Sequence, residues 1–203
     1  SSLVTGVQTC ALPISRKRIG LEEIIANKIS YLSIKEQNKN RVANIFENNS
    51  LAKKILNSLP FELTDDQKNA YNEISKDLAL GSPMLRLLQG DVSSGKTIVA
   101  ALIAAKVVEA NKQVAVLAPT TILANQHYQN FVNWFGDNTQ VEILTSKISA
   151  KDRKIKYERI LNGKAKIIIG THAVFQDDVS YENLSLVIYD EQHRFGVSQR
   201  LKL

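Results

Sequence analysis

The sequence predicts an α/β fold in which helices cover both faces of a parallel sheet. Short apolar or β-branched runs recur after Pro60, namely MLRLL, VAVLA, VEIL, KIIIG and LSLVIY. Stretches with helical spacing lie between them, such as TIVAALIAAKVVEA and TILANQHYQNFVNWF. Strands that alternate with helices form right-handed crossovers, which bring the carboxyl ends of the strands to one edge of the sheet. We therefore expect a ligand site at that edge.

The composition is that of an ordinary globular protein, with 44% hydrophobic and 23% charged residues among 203. No apolar stretch approaches the roughly 20 residues that span a bilayer, so no membrane association is expected. The 26 basic residues exceed the 20 acidic ones, which permits a polyanionic partner without requiring one.

The first 14 residues are expected to be an artefact without ordered structure. Residues 4–14 read VTGVQTCALPI, which looks like one reading frame of a sequencing-library adapter. The cations of residues 16–18 follow this apolar run instead of preceding it, which argues against a secretory signal. Cys10, the only cysteine, lies in the excluded segment, so the remaining chain is compatible with a reducing cytoplasm.

Residues 15–60 are predicted to form a helical linker, and residues 61–203 to form the main domain. The linker has too few apolar residues to be a domain by itself. Its helical stripe consists of Leu21, Ile25, Ile29 and Leu32, continued weakly by Val42, Ile45 and Phe46. After Pro60, Thr64 and Gln67 form a capping box for the helix DDQKNAYNEISKDLAL.

The sequence GDVSSGKT at residues 90–97 fits the phosphate-loop pattern G-x-x-x-x-G-K-[ST]. It follows the predicted strand LRLLQ and opens the next helix, so backbone N–H groups at the helix start are expected to cradle phosphates. Lys96 is expected to reach the β and γ oxygens, and Thr97 to bind Mg²⁺. The residues predicted to hold the nucleotide here are Gly90, Asp91, Val92, Ser93, Ser94, Gly95, Lys96 and Thr97.

Two adjacent carboxylates, Asp190 and Glu191, follow the predicted strand LSLVIY. Such a pair is often only solvated, but a phosphate loop upstream favours a role in phosphoryl transfer. Asp190 is then expected to hold Mg²⁺, and Glu191 to deprotonate the attacking water.

With the segments RLLQGDVSSGKT, VLAPTTILANQH, IIIGTHAVF and DEQHRFGVSQRL, the chain resembles the RecA-like first motor lobe of superfamily 2 DExH helicases. The resemblance is greatest to the bacterial members that remodel branched DNA and stalled replication forks in recombination and repair. It implies an ATP-dependent DNA helicase with ATP and Mg²⁺ as cofactors, forked DNA as partner and a cytoplasmic location. Ser93 stands where the family usually has glycine.

The resemblance also implies roles for residues outside the loop. Those residues are Phe61 and Gln67 at the adenine base, Pro119, Thr120, Gly170 and Thr171 at DNA phosphates, and Gln192 and His193 in coupling. Simpler interpretations stay open beside these roles. Thr64 and Gln67 suit helix capping, and Pro119 with Thr120 suits a plain helix start. We assign no chemistry to His172, and expect Trp134 and Phe135 to serve in packing.

Eight cations occur between residues 147 and 166, against only Asp152 and Glu158. This run could attract a duplex electrostatically. A solvated helix face is the favoured interpretation, because apolar residues recur on the other side. That buried side is predicted to consist of Ile155, Tyr157, Ile160 and Leu161.

The helicases that the chain resembles also have a DNA-wedge domain and a second motor lobe, and neither has a counterpart in these 203 residues. We therefore expect residues 61–203 to be a lobe truncated at its carboxyl end, inactive or very weak in hydrolysis by itself. Three alternatives remain: a transcription-repair coupling translocase, a nucleotide- and DNA-binding module without turnover, and a phosphotransferase. The phosphotransferase lacks support, because the sequence contains no nucleoside or lid motif.

Overall fold

The computed structural model describes residues 42–91, 94–136, 140–145, 148–176 and 178–190. The predictions for the adapter-like segment and for the stripe at residues 21–32 lie outside this range. The chain divides into two compact units, Ser1–Ala43 with Gly81–Leu85 and Asn44–Leu80 with Arg86–Leu203. In the described part of the first unit, the amide of Ala43 donates to the carbonyl of Gly81 at 2.8 Å. Apart from residues 42, 84 and 85, the features below belong to the second unit.

Four parallel strands form the sheet, in the order β2-β3-β1-β4. They are β1 (Gln113–Leu117), β2 (Val141–Leu144), β3 (Ile167–Gly170) and β4 (Leu184–Tyr189). The last residue of β1, Leu117, pairs with Gly170 of β3 and Tyr189 of β4, so the carboxyl ends of these strands are level. Four of the five predicted strands are confirmed.

Five α-helices are described: α1 (Ser50–Ser58), α2 (Asp65–Leu78), α3 (Lys96–Glu109), α4 (Thr121–Phe135) and α5 (Ala150–Leu161). A 3₁₀ turn, His172–Phe175, follows β3. Ten of the fourteen residues of α3 are buried, because sheet, α1, α2 and α4 surround it. Among the described residues, no helix is long and apolar enough to cross a membrane.

Helices cover both faces of the sheet, as predicted. On one face, α5 and the 3₁₀ turn close a buried cluster made of Ala115, Leu144, Ile160, Ala165, Ile168 and Val174. Because successive strand residues point to opposite faces, the neighbours of Ala115 and Ile168 in β1 and β3 point the other way, towards α3 and α4. Both faces are therefore covered by helices, and the six residues of β4 are partly buried.

The strand predicted at LRLLQ is wrong, since residues 84–89 form no strand in the described structure. Leu87 is 67% exposed, although a buried strand was expected. The guanidinium of Arg86 donates to Asp77 at 2.6 and 2.8 Å and to Glu73 at 2.8 Å. Both acids lie on α2, so Arg86 is bound to that helix. A short apolar run alone does not establish a strand.

The continuation of the linker helix through Val42, Ile45 and Phe46 is also wrong, because residues 42–49 are not helical. Helix α1 begins only at Ser50, where the carboxylate of Glu109 accepts from the Ser50 hydroxyl and from the Leu51 amide. An acidic group at a helix N-terminus satisfies N–H groups that have no partner within the helix. The start of α1 is therefore set by a side chain at the end of α3.

The ammonium of Lys106, which is 2% exposed on α3, forms a second link to the segment before α1. It donates to the side chain of Asn49 and to the carbonyl of Glu47. Burial lowers the pKa of Lys106, because the charged form loses its hydration.

Two residues predicted to be buried on α5 are exposed, namely Ile155 at 48% and Leu161 at 56%. Ile160 is fully buried, as predicted, and Tyr157 packs against the same cluster. The side of α5 that faces the sheet is determined by a carboxylate on β2, which the sequence of α5 does not reveal. Lys156 and Arg159 bind the two carboxylate oxygens of Glu142 in β2, at 2.6 and 2.7 Å, respectively. A nearly buried carboxylate requires such partners, so these cations face the sheet.

The side-chain amide of Gln113, which is completely buried, joins three segments. Its nitrogen donates to the carbonyls of Ile160 and Ala165, both at 2.8 Å, and its oxygen accepts from the amide of Asn183 at 3.0 Å. These groups lie at the end of α5 and before β3 and β4. One side chain therefore holds the amino-terminal edge of the sheet together.

We expect Gln113→Leu to lower the free energy of unfolding by about 3 kcal/mol or more, because each buried group left without a partner costs about 1–3 kcal/mol. Urea unfolding would measure the change. The matched control is Gln129→Leu at an exposed position of α4, which should change stability by no more than about 0.5 kcal/mol. Equal losses in the two variants would contradict the role of the Gln113 amide.

Candidate nucleotide-binding site

The phosphate-loop motif turns into α3 at Gly95, the N-cap residue, which has a left-handed φ of 76°. Glycine adopts this conformation without strain, and a Cβ there would also collide with the side-chain nitrogen of Gln67. Gly95 has no side chain with which to cap α3. The N–H groups of the first turn are therefore suited to an anionic ligand.

The ammonium of Lys96 lies against the loop that precedes it. Its Nζ donates to the carbonyl oxygens of Gly90 at 2.8 Å and Asp91 at 2.7 Å. These bonds hold a positive charge at the loop, as phosphate binding requires. Of the predicted loop residues, Val92 and Ser93 lie outside the described residues.

Gln67 joins the start of α2 to the phosphate loop. The backbone amide of Thr64 donates to the side-chain oxygen of Gln67 at 2.9 Å, and the backbone amide of Gln67 donates to the hydroxyl of Thr64 at 3.3 Å. The predicted capping box is therefore confirmed. The side-chain nitrogen of Gln67 also donates to the carbonyl of Ser94 at 2.8 Å. The adenine contacts of Gln67 and of Phe61, which is 51% exposed, stay predictions.

The carboxyl ends of β1, β3 and β4 form one edge, as expected for a ligand site. The amide of Ala118 donates to the carbonyl of Gly170 at 2.8 Å, and the amide of Asp190 donates to the carbonyl of Leu117 at 2.9 Å. These bonds extend the sheet by one residue beyond its strands. Residues from three separate motifs are thereby brought together at this edge.

The residues predicted to contact DNA have structural roles as well. The hydroxyl of Thr120 accepts from the amide of Leu123 at 3.2 Å, so Thr120 is the N-cap of α4. A Cβ on Gly170 would collide with the carbonyl of Leu144, so glycine is required where β3 meets β2. Thr171 is 7% exposed. The DNA contacts of Pro119, Thr120, Gly170 and Thr171 stay predictions.

Asp190 has a partner that sequence reasoning missed, the imidazole of His127 on α4. The distance from His127 Nε2 to Asp190 Oδ2 is 2.7 Å, and His127 is 7% exposed. The buried residues of α4 are Ala124, His127 and Phe131, at helical spacing. A histidine in the apolar stripe of a helix is the sequence signal that could have identified it. Glu191, Gln192 and His193 lie outside the described residues.

The ligand atoms predicted for a metal are suited to Mg²⁺. Thr97 in the first turn of α3 has a hydroxyl, and Asp190 after β4 has a carboxylate. Magnesium prefers oxygen ligands and commonly uses only one or two carboxylates together with phosphate oxygens and water. The donor set therefore fits a metal that binds with the nucleotide.

The parallel sheet, the loop that opens α3 and the polar edge define a nucleotide-binding lobe of the RecA-like type. Comparison with known proteins agrees with this class. The chain belongs to the DEAD/DEAH box helicase family, whose model matches residues 64–202. Membership in this family implies that the lobe binds a nucleotide.

The chain is similar to proteins named ATP-dependent DNA helicase RecG. It is 46% identical to the protein of Escherichia coli K12 over 191 residues, which cover 93% of this chain and 28% of the relative. It is 45% identical to that of Staphylococcus aureus NCTC 8325 over 173 residues, or 85% of this chain and 25% of the relative. The chain thus spans about a quarter of its relatives' length. The resemblance to bacterial ATP-dependent DNA helicases of the RecG kind is confirmed.

Solved structures agree with the fold. A structure of RecG bound to a three-way DNA junction matches 86% of this chain and 24% of its own, with a TM-score of 0.76 and 40% identity. The UvsW helicase of bacteriophage T4 matches 78% of this chain and 56% of its own, with a TM-score of 0.57 and 20% identity. The predicted RecA-like lobe is confirmed.

We expect Gly95→Ala to weaken nucleotide binding by at least about tenfold, because its Cβ displaces the Gln67 amide that braces the loop. Titration with a fluorescent nucleotide would measure the affinity. Gly136→Ala is the matched control, since Gly136 has a φ of 67° and nothing within 4 Å of the added Cβ. Both variants should lose about 1–2 kcal/mol of stability. Unchanged affinity in Gly95→Ala would contradict the role of this glycine.

Proposed function

We propose that this chain is the ATP-binding motor lobe of an ATP-dependent DNA helicase that acts on branched or forked DNA in recombination and repair. The observation that carries the proposal is the phosphate loop that opens α3 in a lobe with Asp190 at the carboxyl edge of its sheet. The similarity to relatives named ATP-dependent DNA helicase RecG supports it. We place the protein in the cytoplasm, because these relatives are bacterial proteins that act on DNA.

ATP is the proposed nucleotide, with Mg²⁺ as its metal. Lys96 and the N–H groups at the start of α3 bind the phosphates, while Thr97 and Asp190 hold Mg²⁺, which neutralises phosphate charge. Glu191 is the proposed base that deprotonates the attacking water. Phe61 and Gln67 are proposed at the adenine base, and Gln192 and His193 in coupling to DNA.

The proposed DNA-binding surface is the carboxyl edge of the sheet. Its proposed residues are Pro119 and Thr120 at the start of α4, and Gly170 and Thr171 after β3. A helix N-terminus with free N–H groups favours a phosphate. The structure of RecG bound to a three-way DNA junction supports the proposal that the substrate is branched DNA. We propose that a second motor lobe and a wedge domain complete the full-length protein.

Two other functions are less well supported. The transcription-repair coupling translocase is not favoured, because eight relatives of 42–46% identity are named RecG. A nucleotide- and DNA-binding module without turnover is distinguished by measuring phosphate release beside binding.

Lys96→Ala should abolish detectable binding of Mg-ADP, because the ammonium supplies the positive charge for the phosphates. Isothermal titration would measure the affinity, with Lys154→Ala at an exposed position of α5 as the control. The control should bind like the parent protein. Equal binding by the Lys96→Ala variant would refute the assignment of the phosphate loop.

Thr120→Asp separates helix capping from the proposed DNA contact. Aspartate is as good an N-cap as threonine, so stability should hold, whereas Thr120→Ala should cost about 1 kcal/mol. The added negative charge should repel a DNA phosphate, weaken binding of forked DNA several-fold and lower its salt dependence. Fluorescence anisotropy with labelled forked DNA would measure both quantities.

The control for added charge is Ser149→Asp, at the N-cap of α5, where the Ser149 hydroxyl accepts from the Asp152 amide at 3.1 Å and donates to the Asp152 carboxylate at 2.7 Å. It adds the same charge at a helix start outside the proposed DNA surface, so its DNA affinity should stay near that of the parent. If both variants bind DNA like the parent, Thr120 does not contact a phosphate.

A further inference from the structure

Helix α4 reaches both of the places to which the proposed function assigns a ligand. Its N-cap, Thr120, lies at the proposed phosphate contact with DNA. Seven residues later, roughly 10 Å along the helix axis, His127 contacts Asp190, the proposed ligand of Mg²⁺. One rigid element therefore connects the DNA surface to the metal end of the nucleotide site.

The contact between His127 and Asp190 is a directed bond. The 2.7 Å distance between Nε2 and Oδ2 is typical of a charge-assisted hydrogen bond. An ionised carboxylate only accepts, so Nε2 carries the hydrogen and donates it. Among the residues that the structure describes, Nδ1 of this ring has no hydrogen-bond partner. The bond to Asp190 is therefore what offsets the burial of a polar ring.

Both partners of this bond are held by other parts of the fold. His127 lies between Ala124 and Phe131, which are completely buried on the same side of α4. The backbone of Asp190 is fixed by its bond to the carbonyl of Leu117. The side chain of Asp190 is itself about one-third exposed, and the nearly buried ring of His127 is a fixed partner for its carboxylate.

We propose that His127 is a positioning residue, which holds the Asp190 carboxylate in the orientation that binds the Mg²⁺ of the nucleotide and thereby couples α4 to that site. The proposal rests on the proposed function, because it requires Asp190 to be a metal ligand. In this proposal, α4 is the element through which DNA bound at its start affects the binding of Mg²⁺. Such coupling is reciprocal, so bound metal and nucleotide affect DNA affinity by the same factor.

The expected effect is specific to the metal. Outer groups that orient a metal ligand typically contribute about 10–100-fold to metal affinity. Removal of the His127 bond should leave metal-free nucleotide binding to the phosphate loop unchanged. The ratio of nucleotide affinity with Mg²⁺ to that with EDTA therefore isolates the role of His127 from a general loss of structure.

The test compares this ratio, measured with fluorescent ADP, in four variants. His127→Leu should lower it by about tenfold, towards the value of Asp190→Ala. His127→Gln should restore most of it, because the glutamine amide places a donor at nearly the reach of Nε2. Phe131→Leu, at a buried position one turn further along α4, should lose stability but keep the parent ratio.

The outcomes separate this inference from the function on which it rests. If the parent does not bind nucleotide, or if Lys96→Ala binds it equally well, the proposed function fails. If the parent binds with a clear dependence on Mg²⁺ and His127→Leu has the same ratio, only the role of His127 is overturned. Should His127→Leu not fold, His127→Asn, whose amide is too short to reach Asp190, replaces it and should show the same loss. An equal ratio in His127→Asn and His127→Gln would also overturn the role.

Discussion

The buried amide of Gln113 sets the geometry on which the rest of the lobe depends. It lies at the start of β1, the strand between β3 and β4, and binds the segments that lead into both neighbours. The register of β1 and β4 shifts by one residue between Gln113 and Val114, and from Val114 onward parallel strands that rise by nearly the same distance per residue stay level. Leu117, Gly170 and Tyr189 are consequently aligned, and the motif residues that follow them share one edge.

Two helices start in the proposed functional motifs, and their caps differ in a way that matches the proposed ligands. Helix α4 is capped by the hydroxyl of Thr120, whereas α3 begins after Gly95, which has no side chain. A capped helix has fewer N–H groups left for an anion than an uncapped one. The start of α3 is therefore suited to enclose phosphates closely, while that of α4 is suited to an outer contact with a nucleic acid backbone.

Charged groups inside the lobe are held by partners from distant parts of the chain. Glu142 binds two cations of α5, Lys106 binds the segment before α1, and Asp190 binds a ring of α4. Each bond compensates for lost hydration and also orients one element against another. In the first case the bond outweighs the hydrophobic pattern, because two apolar residues of α5 are left exposed.

The sequence by itself determined the features that depend on local pattern. Apolar runs and helical spacing identified β1–β4 and the bounds of α4, and the capping box at Thr64 identified the start of α2. The phosphate-loop motif indicated the class of ligand, because its glycines let backbone N–H groups approach phosphates and its lysine supplies a positive charge beside them. Only the tertiary structure decided that residues 84–89 form no strand, and that Gln113 and His127 are buried partners of distant groups. These contacts join residues that are 47 to 70 positions apart in the sequence. Sequence periodicity cannot predict them, because it indicates which side of a helix or strand is buried but not which polar group that side contacts.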